Sequence, residues 1–177
     1  MKKFELTSEF VTFLGKKLFR IKALISFGNV EEGELGGYVE KEENLDQSGD
    51  AWVSGDAWVS GDARVYGDAR VYGNAWVCGD ARVYGNAEVC GNAEVCGDAR
   101  VYGNADYATV HGFGSEYRTT TFFRTKAGDI GVRCGCFYGT LDDFRKKVKE
   151  THGDSKTAKE YLMVADLMEF RFSEEEV

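Results

Sequence analysis

Few residues of this 177-residue chain could do chemistry: two histidines, five cysteines and an Arg-Val-Tyr triplet that occurs four times, three of them at 18-residue spacing. Histidine titrates near neutral pH, so His111 and His152 are the candidate general bases. The simpler role for His111 is a structural one at a domain junction, and it is preferred. His152, in Thr151-His152-Gly153, is expected to meet the last carbonyls of a helix. Cys134-x-Cys136 could be half a metal site, but zinc needs a second pair or suitably spaced histidines, and only two histidines exist. Two small thiols on one face of a strand is the preferred reading, with no metal and no cofactor. The triplets Arg64-Val65-Tyr66, Arg82-Val83-Tyr84 and Arg100-Val101-Tyr102 each follow an aspartate: Asp62, Asp80 or Asp98. Guanidinium forks suit phosphate and carboxylate, so these triplets are the candidate binding residues.

The element that must position them is an internal repeat. From Gly49 the pattern Gly-Asp/Asn-Ala-x-Val-x recurs ten times without a gap, departing only in the last unit, where Tyr107 takes the valine slot. Alanine and valine two apart point to the same side of a short strand. Gly and Asp/Asn are expected at corners that demand positive φ. A strand and a corner per six residues coil into a parallel β-solenoid. Val39 and Leu45, six apart, fill two earlier slots, and the eight-residue step from Leu45 to Val53 marks a two-residue insertion around Asp46-Gln47-Ser48. Forwards, the alanine slot falls on His111, where the coil is expected to end.

Composition bounds the rest. Hydrophobic residues are 43% and charged residues 29%, a globular balance, with 22 glycines and no proline. No apolar run reaches about 18 residues, so no membrane-spanning helix is expected. An odd set of cysteines (Cys78, Cys90, Cys96, Cys134, Cys136) without a secretory segment argues for reduced thiols and the cytosol. The net charge of −8 argues against nucleic-acid binding by bulk electrostatics. Residues 1–48 read as an N-terminal β cap and lead-in coil, with alternating runs Phe4–Leu14 and Leu18–Phe27. Residues 49–110 are the solenoid and residues 111–177 an α+β unit. In that unit Arg118–Thr125 and Ile130–Tyr138 form a hairpin, Thr140 caps a helix ended by Gly153, and Ser155 caps a second running to about Met168.

The Val-x-Gly-Asp-Ala-x phase resembles the hexapeptide-repeat family of left-handed parallel β-helices. The lead-in, Leu18-Phe19-Arg20-Ile21 through Leu35-Gly36-Gly37-Tyr38-Val39 and Asn44-Leu45, resembles phage and prophage β-helix proteins, whose enterobacterial relatives bear the label "putative transferase". The tail, Gly135-Cys136-Phe137 with Gly139-Thr140-Leu141, is similar to a unit in uncharacterised phage proteins of Gram-positive bacteria. The resemblance implies three hexads per triangular coil, 18 residues per turn. It also implies a test for chemistry. Acyltransferases of this family use a histidine base on a coil, often near a loop that interrupts the hexads, and here the ten hexads contain neither. The family's zinc carbonic anhydrases need three histidines, and this chain has two.

With that turn, one face carries Arg64, Arg82 and Arg100 in a column beside Tyr66, Tyr84 and Tyr102, with Asp62, Asp80 and Asp98 towards the corner. Either the plate takes an anion, with Arg82 at its centre, or each Arg is satisfied by the Asp two residues back in a neutral ladder. A second face stacks Trp58 over Trp76 with Glu94 third, and Ser60, Cys78 and Cys96 alongside. A third runs Trp52, Arg70, Glu88 and Asp106, where Arg70 and Glu88 could pair. Outward tryptophans mark a contact surface or lie under one of the flanking units, and self-association as dimer or trimer is one natural cover. The expectation is a non-catalytic, phage-type interaction protein of the bacterial cytoplasm. It would bind a host protein or small anionic ligand and antagonise a pathway such as antiviral defence. The alternatives are an acyltransferase-like enzyme around His111 and an acidic nucleic-acid mimic.

Overall fold

Alternating apolar residues on either side of Gly15 pair as an antiparallel hairpin of β1 (Phe4–Phe13) and β2 (Lys16–Ala23), with Phe4 opposite Ala23 and Phe13 opposite Lys16. The positive φ of Leu14 and Gly15 turns the chain between them. β3 (Leu35–Val39) pairs antiparallel with β2 on one edge, and on the other it enters a parallel ladder, Val39 beside Val59. In this computed structural model residues 1–174 are described; the last three residues of the expected C-terminal unit, 175–177, lie outside them. The chain divides into two compact units, Met1–Asn104 and Ala105–Val177. Among the described residues no helix is long and apolar enough to cross a membrane.

Nine six-residue units from Gly49 each give one two-residue strand: β4 (Trp52–Val53), β5 (Trp58–Val59), β6 (Arg64–Val65), β7 (Arg70–Val71), β8 (Trp76–Val77), β9 (Arg82–Val83), β10 (Glu88–Val89), β11 (Glu94–Val95) and β12 (Arg100–Val101). Partners stand 18 residues apart, Trp58 beside Trp76 and Arg64 beside Arg82, so three units close one coil. The result is a parallel β-solenoid with three faces, β3-β5-β8-β11, β4-β7-β10 and β6-β9-β12. Every valine from Val53 to Val101 and every alanine from Ala51 to Ala99 in these slots is buried. The corners rest on glycine alone. Gly49 through Gly97 take φ between 63° and 72°, whereas no Asp or Asn does. A Cβ on Gly79 would also come within 2.8 Å of the Gly97 backbone nitrogen, one coil on.

Each ladder bond runs from an N–H of one coil to a carbonyl of the next, as from Trp52 to Ala69 and from Trp58 to Ala75. The first coil therefore presents carbonyls that the repeat cannot satisfy, and the N-terminal segment supplies donors. Lys3 is buried, and its ammonium donates to the carbonyls of Ser48 (3.3 Å), Gly49 (3.2 Å) and Ala51 (2.9 Å). Burial pushes its pKa below the usual lysine value against the opposing pull of Asp46 and Asp50. Asn44 donates its amide to Gly61 (3.0 Å) and Ala63 (2.9 Å). Leu45 bridges to Val65 in parallel, which fills the second early slot.

The coil ends one unit earlier than the slots suggest. Gly103 does not take the left-handed conformation of its nine predecessors. Ala105 is exposed, and the chain turns through a single 3-10 turn at Asn104–Asp106. Tyrosine is too large for a slot that valine fills, and Tyr107 instead begins β13 (Tyr107–Val110). This strand pairs antiparallel with β14 (Thr120–Arg124), followed by β15 (Ile130–Cys134) and β16 (Phe137–Thr140). The expected hairpin around residues 126–129 is present, and Gly135-Cys136 adds a second turn. α1 (Leu141–His152) starts at the Thr140–Asp143 capping box and ends at Gly153. α2 (Lys156–Phe172) starts at Ser155 and runs four residues past the expected end. Phe122, Val132, Phe144, Val148, Ala165 and Met168 join sheet and helices in one core.

Candidate functional site

On the β6-β9-β12 face the arginines and tyrosines stack as the 18-residue turn requires. Arg82 lies between Arg64 and Arg100 in parallel register. The rings of Tyr66 and Tyr84 stack at 5.1 Å with 7° between their planes, and Tyr84 meets Tyr102 edge-on at 5.2 Å. Burial raises the pKa of the Tyr66 hydroxyl.

The charges do not repeat as the residues do. Arg82 reaches its own Asp80 at 3.4 Å, but Arg100 takes the other Asp80 oxygen at 3.0 Å and the Asp80 carbonyl at 2.7 Å. Arg100 also donates to the carbonyls of Asp98 and Ala99, so its guanidinium is committed to the solenoid itself. Asp62, two residues before Arg64, is held by Lys41 at 2.7 Å. That hydrogen bond draws the Asp62 carboxyl below, and the Lys41 ammonium above, its ordinary pKa. Arg64 is exposed and makes no ion pair among the described residues. Arg82 keeps a buried Nε without a hydrogen-bond partner. The neutral ladder is therefore broken at its N-terminal end.

A wall stands over that break. The 3-10 turn Glu42–Asn44 and the two-residue insertion after it bound a cleft of about 510 Å³, lined by Glu42, Glu43, Asp46 and Gln47 together with Arg64, Tyr66 and Arg82. Asn44 pins the turn by its two carbonyl bonds and by accepting from the Lys41 N–H at 2.9 Å. Glu42 is paired with Lys2 at 2.7 Å. The acidic lining is absent from a reading of the repeat alone; its signal was the eight-residue step from Leu45 to Val53.

The other candidate residues lie apart from this cleft. Trp58 and Trp76 form the expected stack, but Phe13 of the hairpin packs on both, at 4.9 Å and 5.0 Å between ring centroids. Trp52 is buried between Phe4 and Phe27. On its face Glu88 accepts from the Tyr72 hydroxyl (3.3 Å). Cys78 and Cys96, stacked with Cα atoms 4.6 Å apart, are joined in a disulfide. Rung stacking puts two cysteines 18 residues apart within bonding reach, which corrects the expectation of five reduced thiols. Cys90, Cys134 and Cys136 are not disulfide-bonded. Cys134 ends β15 while Cys136 sits in the turn beyond it, so they do not share a strand face. His111 is exposed, its Nδ1 3.1 Å from the Thr119 hydroxyl. The His152 ring lies against Tyr161 at 5.8 Å, in place of the expected contact with helical carbonyls.

One family profile, described as the YdcK beta solenoid repeat, matches residues 63–79, within the stretch that carries Arg64, Tyr66 and Trp76. This similarity agrees with the coiled architecture and covers less than one full turn. No curated protein matches the chain.

Proposed function

We propose that the protein is a non-catalytic binding protein whose β6-β9-β12 face takes a single anionic group, carboxylate or phosphate, carried by a small ligand or a partner protein. The observation that carries this reading is Arg64, whose own aspartate is occupied by Lys41. An exposed guanidinium then stands one rung from a half-used one, and stacked like charges favour an anion between them. Glu43 and Asp46 line the same cleft, which favours an isolated anion over a polyanionic backbone and so disfavours nucleic acid. His111 has a hydroxyl partner, which does not orient and charge-stabilise an imidazole as a carboxylate does, and this weighs against the acyltransferase alternative. The resemblance of the lead-in and tail to phage proteins extends the reading to a partner in the bacterial cytoplasm, with antagonism of a host pathway such as antiviral defence as its use.

Titration calorimetry of the full chain with phenyl phosphate at low ionic strength tests it. Arg64→Ala and Arg82→Ala should each weaken binding by about tenfold or more, the scale of a lost charge-assisted hydrogen bond at about 1.5–3 kcal/mol. Arg100→Ala should weaken it less, because that side chain is committed to Asp80. No measurable binding, or unchanged affinity in the first two variants, would overturn the proposal.

A further inference from the structure

α2 has two apolar faces, and the fold uses one. Ala158, Tyr161, Ala165, Met168 and Phe172 enter the C-terminal core. Met163, Leu167 and Phe170, spaced four and three apart, form a stripe on the opposite side and are 72%, 56% and 79% exposed. Three large apolar side chains so exposed in one stripe mark a contact surface rather than scattered surface residues.

The charges along this stripe name the occupant. At 100° per residue Lys156 and Lys159 fall on the same stripe before Met163, and Glu174 follows the helix at its other end. The stripe is thus basic and then apolar along the helix, and an acidic residue follows just past its C-cap, Ser173. A copy laid antiparallel sets Met163 against Phe170 and brings the Lys156–Lys159 end of each helix to the end of the other that Glu174 follows. A parallel copy would set lysine against lysine and glutamate against glutamate. The acidic residues beside the stripe are already neutralised within the chain, since Arg145 of α1 holds Asp166 and Glu169 at 2.8 Å each. Their repulsion across a two-fold axis is reduced accordingly. We infer that α2 is a self-association surface, through which two copies of the chain pair by antiparallel α2 helices. This inference stands apart from the anion-binding reading, which concerns the other compact unit.

Sedimentation velocity of the full chain, over a concentration series, tests it. The wild type should form a dimer, and Leu167→Glu should sediment as a monomer with an unchanged circular dichroism spectrum. Lys159→Glu alone, and Glu174→Lys alone, should each weaken the dimer roughly tenfold, because two ion pairs per dimer become repulsive. The double variant Lys159→Glu/Glu174→Lys should recover wild-type association. A wild type that stays monomeric across the series, or a dimer indifferent to Leu167→Glu, would overturn the surface. A dimer that Leu167→Glu dissociates but the double charge swap fails to restore would overturn the antiparallel arrangement.

Discussion

The tryptophan face and the arginine–tyrosine face share one hexad and one interior, yet the first is covered and the second carries a cleft. The difference begins at β3. The hairpin is continuous with the β3-β5-β8-β11 face, making it a six-stranded sheet, while each of the other faces has three strands. The far end of β1 thereby brings Phe13 onto Trp58 and Trp76. Burial of aromatic surface is the gain on that side. On the other face the cap contributes a polar turn, and that turn diverts one carboxylate from the ladder by way of Lys41. In a solenoid the inward slots specify the coil, so outward side chains are free to differ, and what the cap touches decides which of them are structural.

The largest expected effect separates the faces by stability. Trp76 is half-buried, packed on Phe13 and bonded through its indole N–H to the Ser60 hydroxyl at 3.2 Å. Trp76→Ala should cost about 3 kcal/mol in a denaturant titration, the low end for losing a packed aromatic. Arg82→Ala should stay within about 0.5 kcal/mol, as for an outward residue, since it also removes an unsatisfied buried donor. Equal costs would mean that both faces are structural, and the contrast would fail.

A smaller effect isolates the cover itself. Phe13→Ala removes two aromatic contacts, worth about 0.5–1.5 kcal/mol each beyond area burial. It should lower stability by roughly 2 kcal/mol and shift part of the tryptophan emission to the red. Trp52 has separate cover in Phe4 and Phe27, so its share of the emission should not move. Double replacement of Trp58 and Trp76 by Phe should abolish the shift; its persistence would show that Phe13 covers neither.

The interior was legible because its rule is local: Ala and Val at fixed slots, glycine at the corner, and a strand too short to do anything but stack. Leu45 and Val39 could be placed in the coil from spacing alone. What was not legible depends on which side chains compete. Asp62 precedes Arg64 just as Asp80 precedes Arg82, and nothing in the repeat says that Lys41, from outside it, takes Asp62 first. The same holds for Arg100, which crosses a rung to Asp80. Lys3 gave no signal either: a lysine near the chain start reads as solvated, and only the unpaired carbonyls of the first coil explain its burial. The disulfide follows from the 18-residue stack, but two thiols in a column also fit the reduced state, and sequence does not choose between them.

The smallest expected effect is a titration, and it touches one face only. The hydrogen bond from Arg100, ahead of the nearby Arg82 charge, holds the Asp80 carboxyl below the ordinary carboxylate range. In the unfolded chain that carboxyl titrates near about 3.9. A native value below the unfolded one means that the contribution of Asp80 to stability is fully present above the unfolded value. It is lost as the pH falls through the native value. Because Asp80 lies exposed at the surface, the loss should be slight, a shallow decline in Tm on acidification that Asp80→Asn lacks. Binding should respond in the opposite direction. Protonating Asp80 releases Arg82 from its carboxylate, so the affinity for benzenesulfonate, whose charge persists in acid, should rise in the wild type as the pH falls through the depressed native value. The part of any rise that disappears in Asp80→Asn belongs to Asp80. Tryptophan emission should hold through the same window, since the contacts of Phe13 with Trp58 and Trp76 contain no titrating group. If emission and anion binding instead moved together, the two faces would be coupled through the coil rather than independent.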